Sequence, residues 1–533
     1  MKKLLAFVAV VSLAAQAMAV EPTSLRIKGM GGGLGRIVAD EYTDFLAVPS
    51  DVLKVNGSRL YSNLSNLSNA SNSGETLFAN GSVNQYLIGG LTRLPVGTGF
   101  GSVETFGALA PQNLRRYINF NTALVGLDPT APAEAATYML FGAGEGSQIN
   151  DGRANVPADY EKETAKASQN TPTTLVNAIY GYGLSDDMKL GVRLSYSDVV
   201  NEISKEHTDS EDPDITTATD FYTESYTRKV ARNTSMITLA PSVRYKLSSN
   251  LSVAGVLSLM SASDKEIDDV VASRVKGAAY TGARGGGLLN AVTQDDTLTQ
   301  SVSPTGTGFG VEVSGAYKYG PKTTLRGVVS MASMPKSATG DYLVRRSTTT
   351  TAAGTGTSKL SSAITYKDDT ATTGLIVGAE NKISKDLTFG IGLRYLANSQ
   401  TITWGTNLRS DDSAAGLVGY MQSDVTNKTD VTVYTLPVGL EYRMAPWIVA
   451  RMGSAHTVTK TVAKVDTVLT TKSPAGVVQN VATTNSSAST TGAATAFSYG
   501  VGLDLTENLV VDVLANANLT NLAAWQIGVN LKF

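Results

Sequence analysis

The chain has 533 residues, with 44 basic side chains against 46 acidic ones, two histidines and no cysteine. A balance this close to neutral offers no electrostatic footprint for nucleic acid, and the lack of cysteine excludes both a disulfide framework and a thiolate metal site. With 51 glycines, 22 tyrosines and 42% hydrophobic residues, the composition suits two-faced strands better than a large buried core.

In chain order, Lys2 and Lys3 precede an apolar run from Leu4 to Ala15 and then Ala17-Met18-Ala19. A basic start, a short apolar run and a small-x-small site are the pattern of an export signal, expected to span 1–19 with Val20 as the first mature residue. Its removal takes two lysines and leaves a net charge of about −4. The run is too short to anchor in a bilayer, and no later stretch reaches about 18 apolar residues, so no transmembrane helix is expected.

Residues 20–56 hold the run Gly29-Met30-Gly31-Gly32-Gly33-Leu34-Gly35, then Asp40-Glu41, Asp44 and Val48-Pro49-Ser50. The glycines lack the Lys-Ser/Thr of a phosphate loop and open no βαβ unit, so they do not predict nucleotide binding. This stretch is expected to form a periplasmic or plug segment ahead of a strand domain over 57–533.

A first strand is predicted around Ser58 to Leu64. A hairpin follows around Pro95 to Gly97, between Tyr86-Leu87-Ile88 and Gly99-Phe100-Gly101. Six further polar turns fall at Ser185 to Asp187, Ser248 to Asn250, Gly320 to Lys322, Ser384 to Asp386, Met444 to Pro446 and Thr506 to Asn508. Between them, segments such as Phe309, Val311, Val313, Tyr317 and Tyr319 alternate with Gly310, Glu312, Ser314 and Lys318, the period of a strand with one apolar face. The last segment, Trp525 to Phe533, keeps the same parity without a break. Seven hairpins with a first and a last strand make sixteen; fourteen results if the first segment folds inside. The Ser/Thr-rich stretches Ser347 to Ser358 and Thr483 to Thr495 carry neither period and are expected to be long loops.

Tight turns at one end and long connections at the other are the asymmetry of transmembrane antiparallel β-barrels, all-β and here of about 14–16 strands. Tyr182, Tyr245, Tyr319, Tyr442, Trp447 and Phe533 stand beside the tight turns, where interfacial rings belong. In lipid, many strands with one apolar face must close on themselves, because only a closed sheet leaves no unpaired backbone edge. A soluble exported sandwich or adhesin is the competing reading.

The terminal segment resembles the signal read by the bacterial barrel-assembly machinery, with Gln526, Gly528, Leu531 and Phe533 as its polar, glycine, apolar and aromatic members. That resemblance implies insertion in the bacterial outer membrane, with its lipids and the assembly machinery as partners. The stretch 24–64 resembles the start of the long-chain fatty acid transporter barrels, with Val48-Pro49-Ser50 standing where that family has Asn-Pro-Ala. The resemblance implies a hatch within the barrel mouth.

Parity turns Arg193, Arg244, Glu312, Arg326, Glu380, Arg394, Glu441, Asp504 and Asp512 toward the lumen, along with glycines such as Gly374, Gly378, Gly390, Gly392, Gly500 and Gly502. Charges of both signs can line an aqueous path or pair and close it. The small residues leave room for a plug or a channel, or ease curvature. His456 near Ser454 is the one candidate for hydrolase chemistry, read more simply as a solvated rim histidine. His207 lies in an acidic stretch. Asp209-Ser210-Glu211-Asp212-Pro213-Asp214 is read as a solvated acidic loop tip that lacks the pattern of an EF-hand calcium loop.

The expected function is passive transport of small solutes, apolar ones included, with no cofactor, no catalysis and no nucleic-acid partner. A sealed structural or surface-interaction barrel is the alternative, and an outer-membrane hydrolase a remote third.

Overall fold

The computed structural model describes residues 24–65, 85–107, 160–170, 172–200, 202–212, 222–277, 291–350, 354–412, 416–473, 477–516 and 525–533. The export-signal stretch 1–19 lies outside them. Among the described residues no helix is long and apolar enough to cross a membrane.

The wall begins with β1 (Arg59–Ser65), β2 (Gln85–Leu94) and β3 (Gly97–Gly107). It continues through β4 (Tyr160–Asn170), β5 (Pro172–Gly183), β6 (Met188–Val199), β7 (Glu202–Asp212), β8 (Tyr222–Lys246) and β9 (Leu251–Lys276). Next come β10 (Ala291–Val302), β11 (Thr305–Tyr319), β12 (Thr323–Thr350), β13 (Gly354–Lys382) and β14 (Leu387–Asp412). It ends with β15 (Gly416–Ala445), β16 (Ile448–Lys472), β17 (Val478–Thr506), β18 (Leu509–Asn516) and β19 (Trp525–Lys532). The pairs β4 with β5, β6 with β7 and β10 with β11 are each one strand path interrupted by one or two residues, so the nineteen segments build sixteen wall strands. Each pairs antiparallel with its neighbours, and β1 joins β2 on one side and β19 on the other, from Arg59 opposite Lys532 to Ser65 opposite Gln526. The sheet is closed, and the count is sixteen rather than fourteen.

All seven predicted turns are present, at 95–96, 184–187, 247–250, 320–322, 383–386, 446–447 and 507–508. On β11 the alternation is physical: Phe309, Val311, Val313 and Tyr317 are exposed, whereas Gly310 and Ser314 between them are buried. Similar exposed apolar rows run along β6, β8, β9, β12 and β14. A closed barrel that turns its greasy side chains outward meets lipid on that surface. The turn-side rings Tyr182, Tyr245, Tyr319, Tyr442, Trp447 and Phe533 are exposed too, from 41% at Tyr182 to 73% at Phe533.

Two sequence expectations are corrected. Within the stretches 347–358 and 483–495 the described residues 347–350, 354–358 and 483–495 are strand, not loop: β12 and β13 pair without a slip from Thr323 opposite Asn381 to Thr350 opposite Gly354, and β16 and β17 pair out to Lys472 opposite Val478; 351–353 lie outside the described residues. Between 478 and 497, β17 is exposed at nearly every position. With both faces wet there is no apolar side to impose a period, while Thr and Val still favour extended backbone. At about 3.3 Å per residue such strands run roughly 90 Å, far beyond a ~30 Å hydrocarbon layer. The acidic stretch beginning at Asp209 is likewise no loop tip, since Asp209 to Asp212 continue β7, pairing with β4 throughout and with β8 as far as Glu211; residues 213–214 lie outside the described residues.

Candidate functional site

Residues 24–56 fold on the inner face of the wall, near its tight-turn end. Helix α1 (Leu25–Gly29) starts at Ser24, whose hydroxyl accepts from the Ile27 amide at 3.2 Å. Helix α2 (Glu41–Ala47) starts at Asp40, whose carboxylate accepts from the Thr43 amide at 2.9 Å and from the Ser24 hydroxyl at 2.9 Å. One aspartate therefore ties the two helix starts together. A 3-10 helix (Pro49–Lys54) follows, with proline in the first turn where no amide is needed.

Between the helices, Gly31 takes φ +102°, a conformation that side chains resist, and its amide donates to Ser498 Oγ at 2.8 Å. The glycine run is thus a turn pressed against the wall. The wall answers with glycines of its own: a Cβ at Gly453 would stand 2.1 Å from the Met30 carbonyl oxygen, and one at Gly191 2.2 Å from the Ser50 amide nitrogen. Inward glycines are therefore the seat on which this segment lies. Gly378 and Gly392 face Ile37, Gly390 faces Val38 and Leu34, and Gly500 touches Gly29. Gly374 and Gly502 instead make room for Ser330 and Arg451, both on the wall.

Apolar packing fixes three patches. Tyr42, Phe45, Leu46, Val52 and Val55 meet Tyr61, Leu91, Phe100 and Ile179 of β1, β2, β3 and β5, with the Phe45 and Phe100 rings 4.8 Å apart. Ile27, Met30, Leu34, Ile37 and Val38 meet Val328 and Ile376. Val48 packs on Ala240, Ala254 and Val256 of β8 and β9, and the next residues dock alongside, with the Ser50 amide donating to Ser242 Oγ at 2.9 Å.

The inward charges that parity selected come together on this segment. Glu441 accepts a two-point bond from Arg26, at 2.7 and 2.8 Å. Arg244 makes a two-point bond to Asp51, and Arg326 reaches Asp44 at 3.2 Å. Arg36 donates to Glu312 at 2.5 Å, a contact that helps hold Arg36 at φ +69°. Glu380 accepts from the Ala39 amide at 3.1 Å, while Arg394 and Arg193 donate to the carbonyls of Gly33 and Leu46. Asp512 and Asp504 are placed differently: they pair with the wall arginines Arg451, at 2.5 Å, and Arg443, at 2.7 Å. Burial works against the charge on Arg26, but its hydrogen bonds to Glu441 and the negative charges of Glu441, Asp40 and Glu380 outweigh it and hold Arg26 above its ordinary value.

Sequence reasoning missed Arg451, which donates to Glu441 at 2.8 Å and to Asp512, and so links β15 to β18. Its alternation with Met452 was the available signal. A cleft of about 550 Å³ opens between the segment and the wall at β18, β19 and β1, bordered by Arg26, Asp40, Arg59, Val510, Asp512 and Gly528.

His456 does not support hydrolysis. It lies within β16, exposed on the same outward side as Met452, with Nδ1 2.8 Å from Thr495 Oγ1. Among the described residues no group of three His, Cys, Asp or Glu is placed to hold a metal ion. Of the assembly-signal residues, Gln526 and Gly528 share the inward face of β19, and Leu531 and Phe533 share the outward parity. The Phe533 amide and carbonyl exchange hydrogen bonds with Ser58, at 3.2 Å each.

A closed ring of sixteen antiparallel strands, counted over the described residues, carries greasy residues outside, and charged and small residues with the plug's apolar seats inside. The chain is an outer-membrane-type β-barrel. No family model and no curated protein matches it. Among solved structures, the barrel is similar to the Ralstonia pickettii toluene transporter TbuX, at 11% identity over 96% of this chain and 99% of that one, with a TM-score of 0.36. It is similar to the TodX monoaromatic hydrocarbon channel, in a deletion mutant, at 10% identity over 96% and 97%, with a TM-score of 0.37. A Pseudomonas aeruginosa FadL homologue matches at 10% identity over 96% and 98%, with a TM-score of 0.30.

Proposed function

We propose that this barrel resides in the bacterial outer membrane and passes small solutes passively, with residues 20–56 as a plug across its turn-side mouth. The observation that carries the reading is the pairing of inward wall charges with residues 26–51, beside a cleft that stays open next to them. Selectivity then rests on the charged and small residues of the inner face, as in other aqueous pores. Arg193, Arg244, Glu312, Arg326, Glu380, Arg394 and Glu441 act by holding the plug, and Asp504 and Asp512 by neutralising wall arginines. No step of this function uses a cofactor.

The test is flux into liposomes holding the purified protein. Small solutes should enter in proportion to their gradient, without saturation; impermeability to both polar and lipophilic probes would refute the channel.

The second reading, a sealed barrel whose outer strands meet surface partners, is favoured by the length of β12 to β17. Shortening the wet arms of β16 and β17 separates the two, because it would abolish partner binding but spare flux.

A further inference from the structure

The polar clamps on the plug are not spread evenly around the ring. Arg193, Arg244, Glu312, Arg326, Glu380, Arg394 and Glu441 lie on β6, β8 and β11 to β15, and the largest apolar seat lies on β1, β2, β3 and β5. A cleft of about 550 Å³ lies where Val510 and Asp512 of β18 and Gly528 and Asn530 of β19 face Arg26, Asp40 and Asp44; α1 also lies close to β17 and β18, and Arg59 of β1 reaches Glu41 at 3.7 Å.

Two of the residues that line that cleft each carry a buried polar atom without a hydrogen-bond partner among the described residues, Arg326 Nε and Asn530 Oδ1. A donor and an acceptor left this way cost free energy until water or a solute satisfies them. Farther along the lumen the inward face is mixed: Asn177, Thr238, Asn398, Thr429 and Thr461 are buried there beside Met334, Ile364, Ile402 and Val431. Lys336 lies between Asp264, at 2.5 Å, and Asp368, at 3.6 Å, on that same face.

We propose that small polar, uncharged solutes leave the lumen through the cleft between the plug and the β18–β19 wall, while the plug stays seated on β1 and the rest of the ring. The inference rests on the channel reading above and adds its route and its solute class. Strong charges of both signs border the cleft in mixed order, so neither anions nor cations are favoured as a class. Groups that both donate and accept hydrogen bonds, such as hydroxyls and amides, match the orphaned donor and acceptor.

The cysteine-free chain makes the route testable on assembled protein. Two engineered disulfides lock the plug to its seat. A sulfur at the position of Leu53 Cγ stands 3.0 Å from a Cβ at residue 181, and one at Val38 Cγ2 stands 2.7 Å from a Cβ at residue 390, so L53C with G181C and V38C with G390C can be bridged once the Val52 side chain, 2.5 Å from that first Cβ, turns aside. In liposomes with a monosaccharide as probe, the oxidised double lock should conduct as well as the same protein after reduction. In a separate protein, V510C labelled with a methanethiosulfonate reagent should lose flux severalfold and regain it on reduction. Flux stopped by the lock and restored by reductant would show that the plug must move, and would overturn the route while leaving the channel intact. Full flux through labelled V510C would overturn it too. Unmodified protein that admits a small aromatic probe but not the monosaccharide would overturn the solute class, and protein that admits neither would remove the channel reading and this inference with it.

Discussion

Arg451 Nε and Arg26 Nε both donate to the same carboxylate oxygen, Oε2 of Glu441, at 2.8 and 2.7 Å. Arg26 belongs to the plug, and Arg451 and Glu441 to the wall, so Glu441 is one of several charges that tie the plug to the wall, and the one shared with a wall arginine. Replacing Glu441 with Gln removes that charge and leaves Arg26 facing Arg451, although Asp512 still compensates Arg451. Breaking a partly buried pair of this kind should loosen the plug by about 2–3 kcal/mol. Limited proteolysis would read it as faster cleavage within 24–56, while the barrel itself stays resistant.

Gly453 offers a steric test of the same seat. A Cβ there would meet the Met30 carbonyl oxygen at 2.1 Å, and backbone cannot rotate away as a side chain can. Gly453→Val should displace α1 and its following turn at a cost of about 1–3 kcal/mol, without opening the β15–β16 ladder. Unfolding of the barrel followed on a gel should be little changed, and protease access to the plug should rise.

At the seam, Phe533 exchanges backbone hydrogen bonds with Ser58, and its ring is among the most exposed on the barrel. A ring that packs on little else is available for recognition before insertion and for the interface afterwards. Phe533→Ala should therefore lower the amount of assembled protein in the membrane severalfold, yet leave the stability of the fraction that does assemble within about 0.5 kcal/mol.

The outer arms of β16 and β17 predict tolerance instead. Their paired residues from Asp466 and Asn485 outward bury little apolar surface. Deleting 467–484 and joining the ends with a two-residue turn should shift barrel stability by less than about 1 kcal/mol. Denaturant midpoints of the full and shortened proteins check this.

Much of the wall was legible in the sequence for a simple reason: where one face meets lipid and the other water, residues such as Phe309, Val311 and Val313 must alternate with Gly310 and Glu312. Turns carry their own chemistry, and Ser248 shows it by accepting from the amides of Asn250 and Leu251. The wet outer strands were not legible, because Thr483 to Thr495 have no dry side to betray a period. Inward parity picked out Glu441, Arg244 and Arg326, but not their partners. Arg26 lies 415 residues from Glu441 along the chain, and no local pattern encodes such a distance.

The central claim, a lipid-embedded ring of strands that conducts past a seated plug, is tested most directly by solute flux in liposomes, compared between the native protein and Glu441→Gln. The account predicts a measurable, non-saturating flux through the native protein and a larger one through the variant with its loosened plug. A native protein impermeable to polar and lipophilic probes alike, with the variant equally tight, would contradict it.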